Sequence, residues 1–249
     1  MMEQIDVLAF GAHPDDTELG CSGTLAKLAN QGKRVVVVDL TRGEMGSRGT
    51  PETRMHEAKR AADILGLHDR INLGLPDTQL VNDRQTQLRI IDVVRRFRPS
   101  ICLIGAPEDR HPDHGKATRL LLDALFYSGL RTLESRGLDG SIQEPHRPAH
   151  TLHYMQDTPI IPDLVMDITS TMEKKEAAIR AFATQFDVEE PGEEPETYIS
   201  RPGFFETVRA RARFFGHQGG FSFGEPFLYA NGPLPLTTFD PLFKTTPMR

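Results

Sequence analysis

Four consecutive valines, Val35 to Val38, lie in a run over residues 34–40 whose only charged members are Arg34 and Asp39. A strand with one face in water alternates apolar and polar residues, whereas this run is apolar nearly throughout, the pattern of a strand covered on both faces in a parallel sheet. Parallel strands need crossover connections, normally helices, so the flanking sequence must supply them. Residues 5–10 read as a first strand ending at Gly11, and residues 18–30 as a first helix, with Leu19, Leu25, Ala26, Leu28 and Ala29 apolar and Gly32 placed for a left-handed cap. Thr50-Pro51 offers a cap and a first-turn proline to a helix with apolar positions at Met55, Ala58, Ala61, Ala62 and Leu65. A strand over 71–75, a helix over 85–97, a strand over 101–105 and a helix over 115–127 continue the alternation. The expected fold is therefore α/β: a Rossmann-like, mostly parallel sheet with helices on both faces and its ligand crevice at the carboxyl ends of the strands.

Beyond about residue 130 the pattern loosens, with strands expected near 152–155 and 164–168 and a helix over about 171–184. Residues 1–249 are read as a single domain, a regular core to about 130 followed by a less regular extension over 131–249. Residues 187–195 hold five acidic residues and two prolines, which suits an exposed connector or a lid. Lys plus Arg number 29 against 35 for Asp plus Glu, a net charge of -6, which disfavours general attraction to nucleic acid or an anionic membrane. No apolar run approaches the roughly 18 residues of a spanning helix. The N-terminus also lacks a basic-then-apolar signal layout, so a cytoplasmic location is expected. Cys21 and Cys102 are too few for a disulfide scaffold or thiolate metal site and read as small buried side chains.

The first strand runs into Gly11-Ala12-His13-Pro14-Asp15-Asp16, which sets a histidine and two carboxylates in the crevice. The plain alternative, that an Asp merely caps the first helix, accounts for one carboxylate and not for the pair plus a histidine. Arg110-His111-Pro112-Asp113-His114 follows the 101–105 strand and emerges at the same edge. His13, Asp16 and His114 together suit a catalytic divalent metal with an open position, zinc first, with iron(II) or manganese also compatible. Asp15 is then free to take a proton from an attacking water and pass it to a leaving group. His111 is expected to stabilise an oxyanion as imidazolium, with Asp113 either orienting its ring or capping a helix. The remaining histidines, His56, His68, His146, His150, His153 and His217, read as ordinary polar residues. A dinucleotide site is the competing reading, because Gly11 and Asp39 end the first two strands. It lacks a G-x-G-x-x-G turn and would set Asp15 and Asp16 against a pyrophosphate. The ligand set also allows a two-histidine, one-carboxylate iron oxygenase, and a non-catalytic binding module stands last.

With Ala12-His13-Pro14-Asp15-Asp16 and His111-Pro112-Asp113-His114, the chain resembles the zinc-dependent N-acetylglucosamine deacetylases of the PIG-L/LmbE-like superfamily over roughly residues 5–130, and more loosely at Gly-Glu-Pro-Phe, 224–227. The resemblance implies His13, Asp16 and His114 as metal ligands, Asp15 as catalytic base and His111 as its electrostatic partner. The stretch 41–50, Arg54 with Glu57-Ala58, Leu75-Pro76-Asp77 and Asp109-Arg110 are similar to one branch, the bacterial enzymes that deacetylate N-acetylglucosaminyl malate on the route to bacillithiol. That likeness implies substrate contacts from Glu44, Arg54 and Asp77, with Arg54 and Asp77 on sugar hydroxyls and Arg48 or Arg110 on malate carboxylates. Gly216-His217-Gln218-Gly219-Gly220 departs from that branch. Expected partners are a small aminosugar substrate, such as the malate conjugate, chitobiose or a glycolipid precursor, and further copies of the chain in a homo-oligomer.

Overall fold

A computed structural model describes residues 4–137, 139–186, 194–235 and 237–238. Of the acidic stretch 187–195, only Glu194 and Pro195 fall among the described residues. The elements run β1 (Val7–Gly11), α1 (Asp16–Asn30), β2 (Val35–Thr41), α2 (Pro51–Leu65), β3 (Asp69–Leu75), α3 (Arg84–Phe97), β4 (Ile101–Gly105), α4 (Pro112–Tyr127), β5 (His150–Tyr154), β6 (Leu164–Asp167), α5 (Met172–Arg180), α6 (Phe204–Gly219) and β7 (Gly224–Tyr229). They form a seven-stranded sheet in the order β3-β2-β1-β4-β5-β7-β6. The first five strands are parallel, and β7 runs antiparallel to both β5 and β6.

The valine run divides as its two buried faces require. Val36 and Val38 join Leu8, Phe10 and the inner faces of α3 and α4, including Ile90, Val94, Leu120 and Leu121. Val35 and Val37 join Val7, Ala9 and the α1 residues Cys21 and Leu25 on the opposite face. Each such side chain, fully buried, contributes about 1.5–3 kcal/mol of transfer free energy, so both faces must be covered for the sheet to persist. Both cysteines are free and buried. A satellite cluster packs α2 and α5 outside α1 through Ala58, Ala61, Leu65, Ile179 and Phe182.

Thr50 caps α2 as the sequence suggests, accepting from the Thr53 amide with Pro51 in the first turn. Helix α4, by contrast, starts at Pro112 rather than near 115, so His114 belongs to its first turn. The expected late helix is shorter than drawn, ending at Arg180. Helix α6 and strand β7 lie where sequence periodicity gave no element. No helix among the described residues is long and apolar enough to cross a membrane.

The strand order reverses between β1 and β4, so the loops leaving these strands part and open a crevice at their carboxyl ends. Asp39, the residue a dinucleotide reading needs, is unavailable there. Its carboxylate is buried against Arg70, whose Nε and Nη2 donate to it at 2.8 and 2.9 Å while Nη1 donates to Glu18 at 2.7 Å.

Candidate metal centre and active site

The turn after β1 begins at Gly11, where an added Cβ would lie 2.8 Å from the His13 carbonyl oxygen and 3.3 Å from the Asp16 Cβ. That close approach folds the chain back so that the His13 amide donates to Asp16 Oδ2 at 2.9 Å. Asp16 then lies between two imidazoles. Its Oδ2 is 3.6 Å from His13 Nδ1, and its Oδ1 is 3.1 Å from His114 Nε2. The outer nitrogen of each ring is held by another carboxylate: His13 Nε2 meets Asp77 Oδ1 at 3.1 Å, and His114 Nδ1 meets Asp109 Oδ2 at 2.5 Å. Carboxylates on the far nitrogens of two histidines whose near nitrogens face a shared acid are the supporting pattern of a metal site, because they fix ring orientation and tautomer. The nitrogen and oxygen donors gathered here, with His111 also within reach of His13 and His114, suit a divalent cation.

The charges agree with this geometry. Burial alone would raise the Asp16 carboxyl, but His114 and His13 beside it hold it well below the usual carboxylate range. Burial likewise opposes protonation of the two rings, yet Asp113, Asp16 and Asp77 keep His13 well above its ordinary value, and Asp16 with Asp109 raises His114 to about 9. A cation would replace these two ring protons as the counter-charge of the site.

Asp15 is the N-terminal flanking residue of α1 at φ 118°, and its side chain makes no capping hydrogen bond. A non-glycine residue at that φ is strained, and such strain collects at functional sites. The carboxyl is buried and lines the crevice. Burial pushes it up to about 7, against the nearby Arg54 cation and with the Asp16 charge adding to the rise.

His111 flanks α4, and its Nδ1 accepts from the Asp113 amide at 3.3 Å. This departs from one expectation, the imidazolium form of His111. A ring nitrogen that accepts a hydrogen bond carries no proton, and burial followed by the neighbouring His13 and His114 charges lowers the His111 pKa, so both observations favour the neutral ring with its proton on Nε2. Asp113 orients that ring through its backbone amide and not its carboxylate. The carboxylate accepts from the Thr78 amide at 2.9 Å, pairs with Lys116 at 3.2 Å and lies 3.6 Å from His13 Nε2.

The crevice encloses about 370 Å³, and among the expected substrate residues Arg54, Asp77 and Arg110 line it. Arg54 is seated against the 43–46 turn: a Cβ on Gly43, where φ is +66°, would collide with its Nη1. Its Nε is buried and has no hydrogen-bond partner in the protein. Glu44 and Arg48 serve elsewhere. Glu44 accepts from the Asp77 amide at 2.9 Å and so supports that loop. Arg48 is buried, donating to the Thr184 and Pro195 carbonyls, both at 2.9 Å, and pairing with Glu194 at 3.3 Å, which leaves it no malate to hold. Sequence reading missed Asp157, Tyr198 and Arg211 on the far wall, where Asp157 accepts from the Tyr198 hydroxyl at 2.9 Å and from Arg110 Nε at 3.1 Å. They come from the irregular half of the chain and carry no motif. Asp109 alone had a signal, since it immediately precedes the second cluster.

Residues 8–125 match the family described as PIG-L, GlcNAc-PI de-N-acetylase. Diacetylchitobiose deacetylase from Thermococcus kodakarensis is 30% identical over 236 residues, covering 91% of this chain and 83% of that protein. The chain belongs to the PIG-L family. A crystal structure of the conserved protein TT1542 from Thermus thermophilus is similar to this PIG-L protein with a TM-score of 0.82 at 36% identity, covering 94% of this chain and 98% of that one. A probable N-acetyl-α-D-glucosaminyl L-malate deacetylase 2 from Bacillus anthracis is 28% identical over 205 residues, covering 75% of this chain and 84% of that protein. The looser Gly-Glu-Pro-Phe likeness has a structural basis in this PIG-L protein. Glu225 is buried and accepts from the Gly23 and Thr24 amides at 2.9 and 2.7 Å and from Lys175 at 2.8 Å, which pins α1 and α5 to β7.

Proposed function

We propose that this protein is a zinc-dependent amidohydrolase that removes the N-acetyl group from a glucosamine conjugate. One observation carries the reading: the Asp16 carboxylate lies between two carboxylate-backed imidazoles, with a buried, uncapped Asp15 beside it. His13, Asp16 and His114 would hold the zinc, which when bound supplies a Lewis acid that lowers the pKa of water and polarises a carbonyl. Asp15, with a pKa near 7, accepts the proton of the attacking water as the water oxygen bonds to the amide carbon. The neutral His111 offers its Nε2–H to the oxygen that gains charge in the tetrahedral intermediate. Asp15 then returns its proton to the glucosamine nitrogen as the C–N bond breaks, giving acetate and a free amine. Arg54 and Asp77 line the crevice, where they would meet the sugar hydroxyls.

For the aglycone, Arg110 supports the malate conjugate and the Bacillus anthracis relative favours it, while the commitment of Arg48 to Thr184 and Pro195 weakens that reading. A second N-acetylglucosamine is favoured by the longer and more identical match to diacetylchitobiose deacetylase. Acetate release from N-acetylglucosaminyl malate, diacetylchitobiose and N-acetylglucosamine, compared by kcat/KM on the zinc-loaded protein, separates the two. Malate specificity requires the Arg110→Ala variant to lose rate on that conjugate alone. Absence of acetate from all three substrates would overturn the deacetylase reading.

A further inference from the structure

Asp109 lies on the connection between β4 and α4, and its side chain is 1% exposed. It does not cap α4, whose flanking residue is His111. Both of its oxygens are engaged. Oδ2 meets His114 Nδ1 at 2.5 Å, and Oδ1 accepts from the Asp157 and Thr158 amides at 2.9 and 2.7 Å. These amides belong to the stretch just after β5, so the carboxylate is held by one segment while it holds a ring on another. We infer that Asp109 is the positioning residue for His114, fixing its proton on Nδ1 so that Nε2 is turned towards Asp16 with a lone pair free for the metal. The inference rests on the reading of His114 as a metal ligand.

The chemistry of the conservative replacement makes this testable. An asparagine at 109 has one acceptor and one donor end, while its surroundings offer donors on both sides. If its oxygen faces the two amides, its NH2 faces His114, which must then present a bare Nδ1 and carry its proton on Nε2, the ligating nitrogen. If the amide is reversed, its NH2 opposes the Asp157 and Thr158 amides and the tether is lost. Either arrangement weakens metal binding without removing a ligand. The neighbouring Asp157 supplies the contrast. Its backbone serves Asp109, but its carboxylate serves Tyr198 and Arg110 on the far wall, so D157N keeps the tether to His114 intact.

Zinc dissociation constants are measured by competition with a chromophoric chelator for wild type, D109N and D157N, alongside long-range ¹H–¹⁵N spectra of the histidine rings. D109N is expected to weaken zinc binding about 10- to 100-fold, as loss of such outer partners does, with D157N within about twofold of wild type. Zinc-loaded wild type is expected to show the His114 proton on Nδ1. A folded D109N that binds zinc as tightly as wild type, or equal weakening by D157N, overturns the assignment. Should D109N not fold, the wild-type spectrum decides alone: a His114 proton on Nε2 contradicts the inference, and one on Nδ1 supports it. A wild type that binds no zinc removes the metal reading itself, an outcome recognisable before any variant is compared.

Discussion

Replacing Asp15 with asparagine should slow the enzyme and stabilise the zinc-free fold at the same time, and the two effects have separate origins. Asparagine has nearly the same volume and tolerates positive φ better than most residues, so the strained 118° backbone survives the change. It cannot accept a proton, and loss of general-base catalysis costs about 10²- to 10⁴-fold in kcat, or roughly 3–5 kcal/mol of transition-state stabilisation. The stability gain follows from the carboxyl having its pKa raised from 3.8 to about 7 in the folded protein. Below pH 4 the group is protonated in both folded and unfolded chains and contributes nothing. As pH rises from 4 to 7 the unfolded chain releases the proton and the folded one keeps it, so the fold is progressively penalised. Above pH 7 the penalty levels off at about 4 kcal/mol as an upper bound. The variant escapes it, and for a chain of this length that corresponds to a Tm higher by up to about 8–16 °C at pH 8, shrinking to nothing near pH 4. Thermal melts of metal-stripped wild type and D15N across that range, with kcat measured on the zinc-loaded forms, check both halves. Wild-type turnover in D15N, or a Tm difference that does not grow with pH, would refute the reasoning.

Further consequences concern the metal, the scaffold and the crevice. Because His13 and His114 are raised, the latter to about 9, zinc must displace ring protons at pH 7, and its apparent affinity should rise as pH rises above 7. Calorimetry in buffers of differing ionisation enthalpy should register proton release, and zero release contradicts the protonated pair. Glu225→Ala leaves Lys175 buried with only the Glu18 and Leu19 carbonyls, so a loss of about 3–5 kcal/mol is expected by chemical denaturation; a loss under about 1 kcal/mol would show the pin to be dispensable. Gly43→Ala forces a methyl group onto Arg54 at a positive-φ position, and should raise KM several-fold with little change in zinc content. An unchanged KM would detach Arg54 from substrate binding.

The parallel half of the sheet was legible because local signals agreed there. Val35 to Val38 demanded two covered faces, Thr50-Pro51 and Gly32 marked helix ends, and both histidine clusters followed apolar runs that proved to be β1 and β4. Strand β7 was obscured by Gly224 and Pro226, which β propensity counts against a strand although β7 lies between two partners. Helix α6 hides its pattern behind exposed Phe214 and a glycine at 216 that packs against the Phe223 backbone. In the site, residue types and spacing pointed to His13, Asp16 and His114, but spacing cannot report which way a side chain turns. Arg48 and Glu44 stand in a stretch that borders the crevice, yet tertiary partners claim both. Asp113 was expected either to orient the His111 ring or to cap a helix, and spacing could not tell that, with a helix beginning at Pro112, it is its amide that reaches the ring. Asp157, Tyr198 and Arg211 reach the crevice from segments distant in sequence, which no local pattern encodes.

The central claim is that one zinc, held by His13, Asp16 and His114, makes this chain an N-deacetylase. Metal-stripped protein titrated with zinc, with acetate release from diacetylchitobiose and N-acetylglucosaminyl malate followed at each addition, tests it most directly. Activity should be absent without metal, rise linearly and reach its plateau at one equivalent, and His13→Ala or His114→Ala should fail to reach that plateau. Equal activity in the stripped protein, or no acetate at any zinc level, would contradict the account.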